Sequence, residues 1–146
     1  MKKIISIISL LLLVSYTFAQ SAGDKLIGVY YLEHDGDRSK VRFTKNSDNT
    51  YKGQVIWMEK TRDEKGNLRV DKKNPDASKR NTPADRIVLI PSVTYKDGVW
   101  ANGQIYDPTR GKFFTVELKF KDDETLAVKG SWAIFSQTIY WKKLKE

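Results

Sequence analysis

No cysteine occurs in the 146 residues. That absence excludes disulfides, thiolate nucleophiles and lipid attachment at a lipobox cysteine. Histidine is nearly as scarce, since the single His34 sits in the acidic turn Glu33-His34-Asp35-Gly36-Asp37. A Ser-His-Asp site would have its base on a flexible turn rather than a rigid strand end. Zinc would lack the three or four ligands it needs, so neither a metal nor a cofactor is expected. No stretch reads as a long helix, and beyond the N-terminus no hydrophobic run is long enough for a membrane span. Stability must therefore come from packing alone.

The one apolar run is N-terminal. Met1-Lys2-Lys3 is basic, Ile4 to Val14 is apolar apart from two serines, and Thr17-Phe18-Ala19 supplies a small-residue exit. The run falls short of the ~20 residues a bilayer span requires. These features predict a secretory leader over residues 1–19, cleaved after Ala19, which leaves a length suited to a single domain over 20–146. The expected location is exported, periplasmic or extracellular, without a lipid anchor. The formal charge is +8, with Lys2 and Lys3 inside the leader. A basic balance suits nucleic acid, anionic membranes or acidic polymers. Export argues against nucleic acid, and the Lys and Arg residues are interleaved with acids as on a solvated surface.

Val99 to Lys121 carries the clearest structural signal. Pro108-Thr109-Arg110-Gly111 makes a four-residue loop, with Pro presetting φ and Gly supplying φ > 0. Pairing Asp107 with Lys112 puts Val99, Ala101, Gly103, Ile105, Phe114, Val116, Leu118 and Phe120 on one apolar side. Trp100, Asn102, Gln104, Tyr106, Phe113, Thr115, Glu117 and Lys119 then face the other way, Trp100 opposite Lys119. A one-residue slip would bury Glu117 and Lys119. The same logic pairs Phe120 with Leu126, Leu118 with Val128, Val116 with Gly130 and Phe114 with Trp132.

Further strands are expected over Leu26–Leu32, Lys40–Lys45, Tyr51–Met58, Ile87–Ile90 up to Pro91, Val93–Tyr95, and, after Ser136-Gln137, Thr138–Leu144. Tyr51, Gly53, Val55 and Trp57 share one face of their strand. Glu59 to Asp85 is a long polar loop, either a mobile lid or an ordered plug. About eight antiparallel strands in up-and-down order make an all-β barrel or sandwich. The glycines favour a barrel, because Gly103, Val116 and Gly130 fall in one row while Gly28 and Gly53 sit mid-strand. They mark tight bends or internal room, or they relieve crowding by Trp57 and Trp132.

Trp100…Gly103-Gln104-Ile105-Tyr106-Asp107-Pro108…Gly111-Lys112 resembles the signature of the domain of unknown function 2147 family of small exported bacterial proteins. Gly28, Gly53…Val55…Trp57, Asp71…Asn74-Pro75-Asp76…Arg80, Leu126…Val128-Lys129-Gly130 and Thr138…Trp141-Lys142 agree in order. Two departures stand out. Ala84 to Val93 lacks the glycine that the family tends to carry after its loop arginine, and a glycine pair is reduced to Asn102-Gly103. The resemblance implies a small lipocalin-like barrel in the cell envelope and no established activity.

Binding fits the residues better than catalysis does. Asp107 and Glu117 could form a hydrolase pair, but the turn explains the first and the solvent face the second. Asp63, Glu64, Asn67, Asp71, Asn74 and Asp76 gather hard oxygens without an EF-hand spacing, and turn chemistry accounts for them. A small apolar or amphipathic ligand inside the barrel would be lined by Tyr51, Trp57, Phe114, Val116 and Trp132. The competing reading is that these side chains fill the core. A third reading is a structural or interaction module, with Trp100, Tyr106 and Phe113 facing an envelope protein or glycan.

Overall fold

The computed structural model describes residues 22–146. The expected leader, residues 1–19, lies outside the described residues. Eight strands close an antiparallel barrel in sequence order: β1 (Gly28–His34), β2 (Asp37–Lys45), β3 (Tyr51–Met58), β4 (Val88–Lys96), β5 (Val99–Asp107), β6 (Lys112–Asp122), β7 (Thr125–Trp132) and β8 (Phe135–Lys143). The outer wall is charged, with Arg42, Glu117, Lys119 and Lys129 all exposed. No helix among the described residues is long and apolar enough to cross a membrane.

The β5–β6 hairpin closes as its turn dictates. Asp107 pairs with Lys112, and the register runs unbroken to Gly103 opposite Val116. Gly111 takes φ 65, and Asp107 accepts from the Thr109 backbone N–H at 2.9 Å. Beyond Gly103 the register shifts, and Trp100 pairs with Leu118 rather than Lys119. The cause is a bulge at Asn102, which adopts φ 58. Asparagine tolerates the left-handed region, and so stands where a glycine pair would otherwise serve. One extra residue turns Trp100 from the outer face into the core, where it is 2 % exposed.

Two more irregularities follow the same rule. Lys40 pairs with Trp57 while Val41 pairs with Val55, so an extra residue at Ile56 reverses the alternation of β3. Trp57 is thereby turned outward, 41 % exposed, with the Lys40 ammonium 5.3 Å from its ring centroid. Pro91 does not end a strand as its missing N–H suggested. β4 runs through it, with a shift between the Tyr51–Val93 and Gly53–Ile90 pairs that accommodates it.

The last turn lies earlier than its polar residues suggest. Trp132 pairs with Phe135, so Ala133 and Ile134 form a two-residue loop, with Ala133 at φ 53. Nothing in those two residues announces a turn.

One end of the barrel is closed by the segment ahead of β1. A single 3-10 turn, Asp24–Leu26, buries Leu26 completely. The Trp100 indole donates to Gly23 O at 3.1 Å, Tyr51 to Asp24 Oδ1 at 2.7 Å, and Tyr30 to Leu26 O at 2.9 Å. Tyr30 meets Phe43 edge-on at 5.4 Å, and Trp100 meets Phe120 at 5.6 Å.

Candidate functional site

The opposite end carries the β1–β2, β5–β6 and β7–β8 turns and the long β3–β4 connection, and it opens into a cavity of about 810 Å³. Its wall is apolar, with Leu32, Val55, Leu89, Ile105, Phe114, Val128 and Ile139. Alternation along regular strand places Leu32, Ile105, Phe114, Val128 and Ile139 inside, whereas Leu89 enters at a register shift of β4, between the Gly53–Ile90 and Gln54–Val88 pairs. Trp141 forms the floor, since it lines the cavity and packs on Phe43 at 6.0 Å. The Trp141 indole N–H is buried and has no acceptor among the described residues.

Polar groups collect at the rim. His34, Asp37, Arg69, Lys72, Asp107 and Arg110 stand there. Arg69 grips Asp37 through two hydrogen bonds of 2.8 and 3.2 Å. That pairing holds the Arg69 guanidinium above its ordinary pKa, although burial opposes it. His34 Nε2 lies 3.1 Å from Asp35 Oδ2. Burial pushes the Asp107 carboxyl up, but hydrogen bonds from Thr109 and Arg110 outweigh it and hold the group below the ordinary carboxylate range. An ionised, turn-bound Asp107 is poorly suited to donate a proton.

The long connection is an ordered strap across this end. Its first part is a small ribbon, with Arg62 bridged to Leu68 and Gly66 at φ 82. Val70 bridges Pro83. Asp71, 2 % exposed, accepts from Tyr106 Oη at 2.7 Å and from Asn74 Nδ2 at 2.7 Å. Arg80 Nε then donates to Asn74 O at 2.8 Å, and Lys73 Nζ to Thr109 O at 2.7 Å. A Cβ on Gly111 would overlap the Lys73 carbonyl oxygen. Asp71, Asn74, Arg80, Tyr106 and Gly111 thus converge to pin the strap against the β5–β6 hairpin. Asp63 and Asp76 are engaged locally, accepting from the backbone N–H groups of Asn67 and Ser78 at 2.9 and 3.0 Å.

The five residues expected to line the interior divide. Phe114 and Trp132 line the cavity, Trp132 at its rim. Tyr51 belongs to the closed end. Trp57 is on the outer wall because of the β3 bulge. Val116 is buried in the core below the cavity wall. The expected outward trio also changes: Trp100 is internal, and Tyr106 faces outward but is covered by the strap. Phe113 remains partly exposed beside Tyr106, their rings 4.9 Å apart.

The glycine row divides as well. A Cβ on Gly103 would overlap the Ser92 carbonyl oxygen, so this glycine permits close approach of β4 and β5 rather than internal room. A Cβ on Gly130 would meet Ile105 and Phe114 at an ordinary 3.7 Å, and Gly130 does line the cavity. Pro108 opens the β5–β6 turn, and Pro75 lies in a second cleft of about 520 Å³ shared with Lys112, Phe113 and Trp132. Ile134 and Phe135 carried no sequence signal, because the turn was expected at Ser136-Gln137.

The family described as an uncharacterized protein conserved in bacteria (DUF2147) matches residues 28–143. No curated protein matches the chain. Among solved structures, the barrel is similar to a Helicobacter pylori protein, HP1028, described as belonging to the lipocalin family. The two share 22% sequence identity with a TM-score of 0.64, over 83% of this chain and 84% of that one. At that identity the likeness is one of fold: an eight-stranded lipocalin-like barrel. The chain belongs to the DUF2147 family.

Proposed function

We propose that the protein is an exported carrier that holds a small apolar or amphipathic molecule in its barrel, without chemistry, in the cell envelope. The observation that carries this reading is the cavity of about 810 Å³ walled by aliphatic and aromatic side chains beneath a charged rim. Its size falls within the roughly 300–1,000 Å³ of small-molecule sites. An apolar body would bury against Ile105, Phe114 and Ile139, while a polar head would stay among the rim charges. The leader features of residues 1–19 support export, and the lipocalin-like fold is compatible with small-ligand binding. At the rim, His34 and Asp37 are engaged in ion-pair contacts and Asp107 in its turn.

Titration of tryptophan emission with a long-chain fatty acid and with retinol tests the proposal, Trp141 on the floor being the reporter. Gly130→Leu projects into the cavity and should lower affinity about tenfold or more while the barrel stays folded. No spectral response to any member of an apolar panel would refute the reading, as would equal binding by Gly130→Leu.

A further inference from the structure

The tip of the β7–β8 hairpin is the most exposed apolar feature of the described residues. Trp132 is 65%, Ile134 92% and Phe135 66% exposed. No polar side chain interrupts the four residues from Trp132 to Phe135. Soluble surfaces carry single exposed apolar residues routinely, but a contiguous projecting cluster marks a contact.

Three features indicate what it contacts. The tip is continuous with the cavity, since Trp132 and Phe135 both line it. The barrel is also incompletely laddered on that side. β1 and β8 pair only at Tyr30–Lys143 and Tyr31–Lys142, so β8 continues from Trp141 to Phe135 without a β1 partner. Leu32 and Ile139 face the cavity on either side of this seam. Finally, cations stand beside the tip, although the cavity rim itself sets Asp35, Asp37, Asp63 and Asp107 against Arg69, Lys72, Lys73 and Arg110. Arg110 and Lys112 share the second cleft with Trp132, and although Arg110 is paired with Asp107, Lys112 is exposed. The strap across the same end has nine Lys and Arg against six Asp and Glu over residues 59–86.

We infer that this tip inserts into an anionic lipid bilayer, setting the barrel mouth against the membrane surface. Trp132, Ile134 and Phe135 enter the boundary between headgroups and acyl chains, and the nearby cations meet lipid phosphates. The β1–β8 seam then lies where an acyl chain could pass between bilayer and cavity. Docking stands on the tip itself; only its use in loading the cavity rests on the carrier reading.

The test is co-sedimentation of the purified protein with vesicles of phosphatidylethanolamine and phosphatidylglycerol, read alongside quenching of tryptophan emission by brominated acyl chains. Wild type should bind and be quenched. Ile134→Ser should lower the partition coefficient about tenfold or more with an unchanged melting temperature. Lys112→Glu should weaken binding to these vesicles but not to phosphatidylcholine alone. Gly130→Leu should bind vesicles like wild type even where it loses a cavity ligand, which separates failure of docking from failure of the carrier reading. Absence of quenching, or equal partition of Ile134→Ser, overturns the inference. So does a dimer in sedimentation velocity that dissociates on Ile134→Ser, since a second copy would then cover the tip.

Discussion

At the closed end of the barrel Trp100, Tyr51 and Tyr30 are buried against one another's neighbours, and each directs its polar atom to the segment Gly23–Leu26. At the mouth Trp132 and Phe135, the same class of side chain, project into solvent with nothing laid over them. The difference is the covering chain. The segment before β1 crosses the closed end and fills it, whereas the strap crosses the mouth from β3 to β4 and fastens chiefly to the β5–β6 and β1–β2 turns. One end is consequently sealed, and the other keeps aromatic side chains uncovered.

The largest expected contrast lies between two tryptophans. Trp100→Ala should cost about 3–5 kcal/mol, removing a buried ring with contacts to Tyr95 and Phe120 and its hydrogen bond. Trp132→Ala should stay within about 0.5 kcal/mol. Urea melts of both variants measure the difference, and similar losses would mean that the tip is packed.

Two glycines sharpen the same contrast. Gly103→Ala drives a Cβ into the Ser92 carbonyl and should destabilise by about 1–3 kcal/mol. Gly130→Ala, with its nearest atoms at 3.7 Å, should change stability by less than about 0.5 kcal/mol. If Gly130→Ala were the more damaging, the cavity would be closed at that level.

The strap offers an intermediate case with a pH signature. Tyr106→Phe leaves buried Asp71 short of a donor, at about 1–3 kcal/mol, and limited proteolysis should then cut faster at Lys79-Arg80. Burial, then the hydrogen bond to Asp71, holds the Tyr106 hydroxyl above the ordinary 10.0. Burial does the same for Tyr30 and, together with Asp24, for Tyr51. A raised folded-state value makes this stabilisation fully present below about pH 10 and lost as pH rises through the folded values. Thermal melts should be flat on approach to that pH and fall beyond it, less steeply in Tyr106→Phe. A steeper fall in the variant would contradict the assignment.

Much of this architecture was legible along the chain. Pro108 and Gly111 specify a turn, and the alternation beside them places Ile105, Phe114 and Val116 on one side, because turn geometry and period-two patterning act between adjacent residues. The bulge at Asn102 had a faint mark, an asparagine ahead of a glycine. The bulge at Ile56 had none, and Ala133-Ile134 turns the chain without any residue typical of turns. Each inserted residue reverses inside and outside beyond it, so Trp57 and Trp100 ended on the faces opposite to those their alternation predicts. Asp71, Asn74 and Arg80 could be grouped by family pattern, but their convergence on Tyr106 requires the strap to cross strands far from it in sequence.

The sequence by itself determined the strand order and the register near each marked turn, because these depend on contacts between neighbours along a hairpin. Tertiary structure alone decided which aromatics are enclosed, which end is plugged and how much of the middle is empty. Those outcomes depend on the phase carried through four irregular strands, on side-chain volumes summed around a closed ring, and on covering segments remote in the chain.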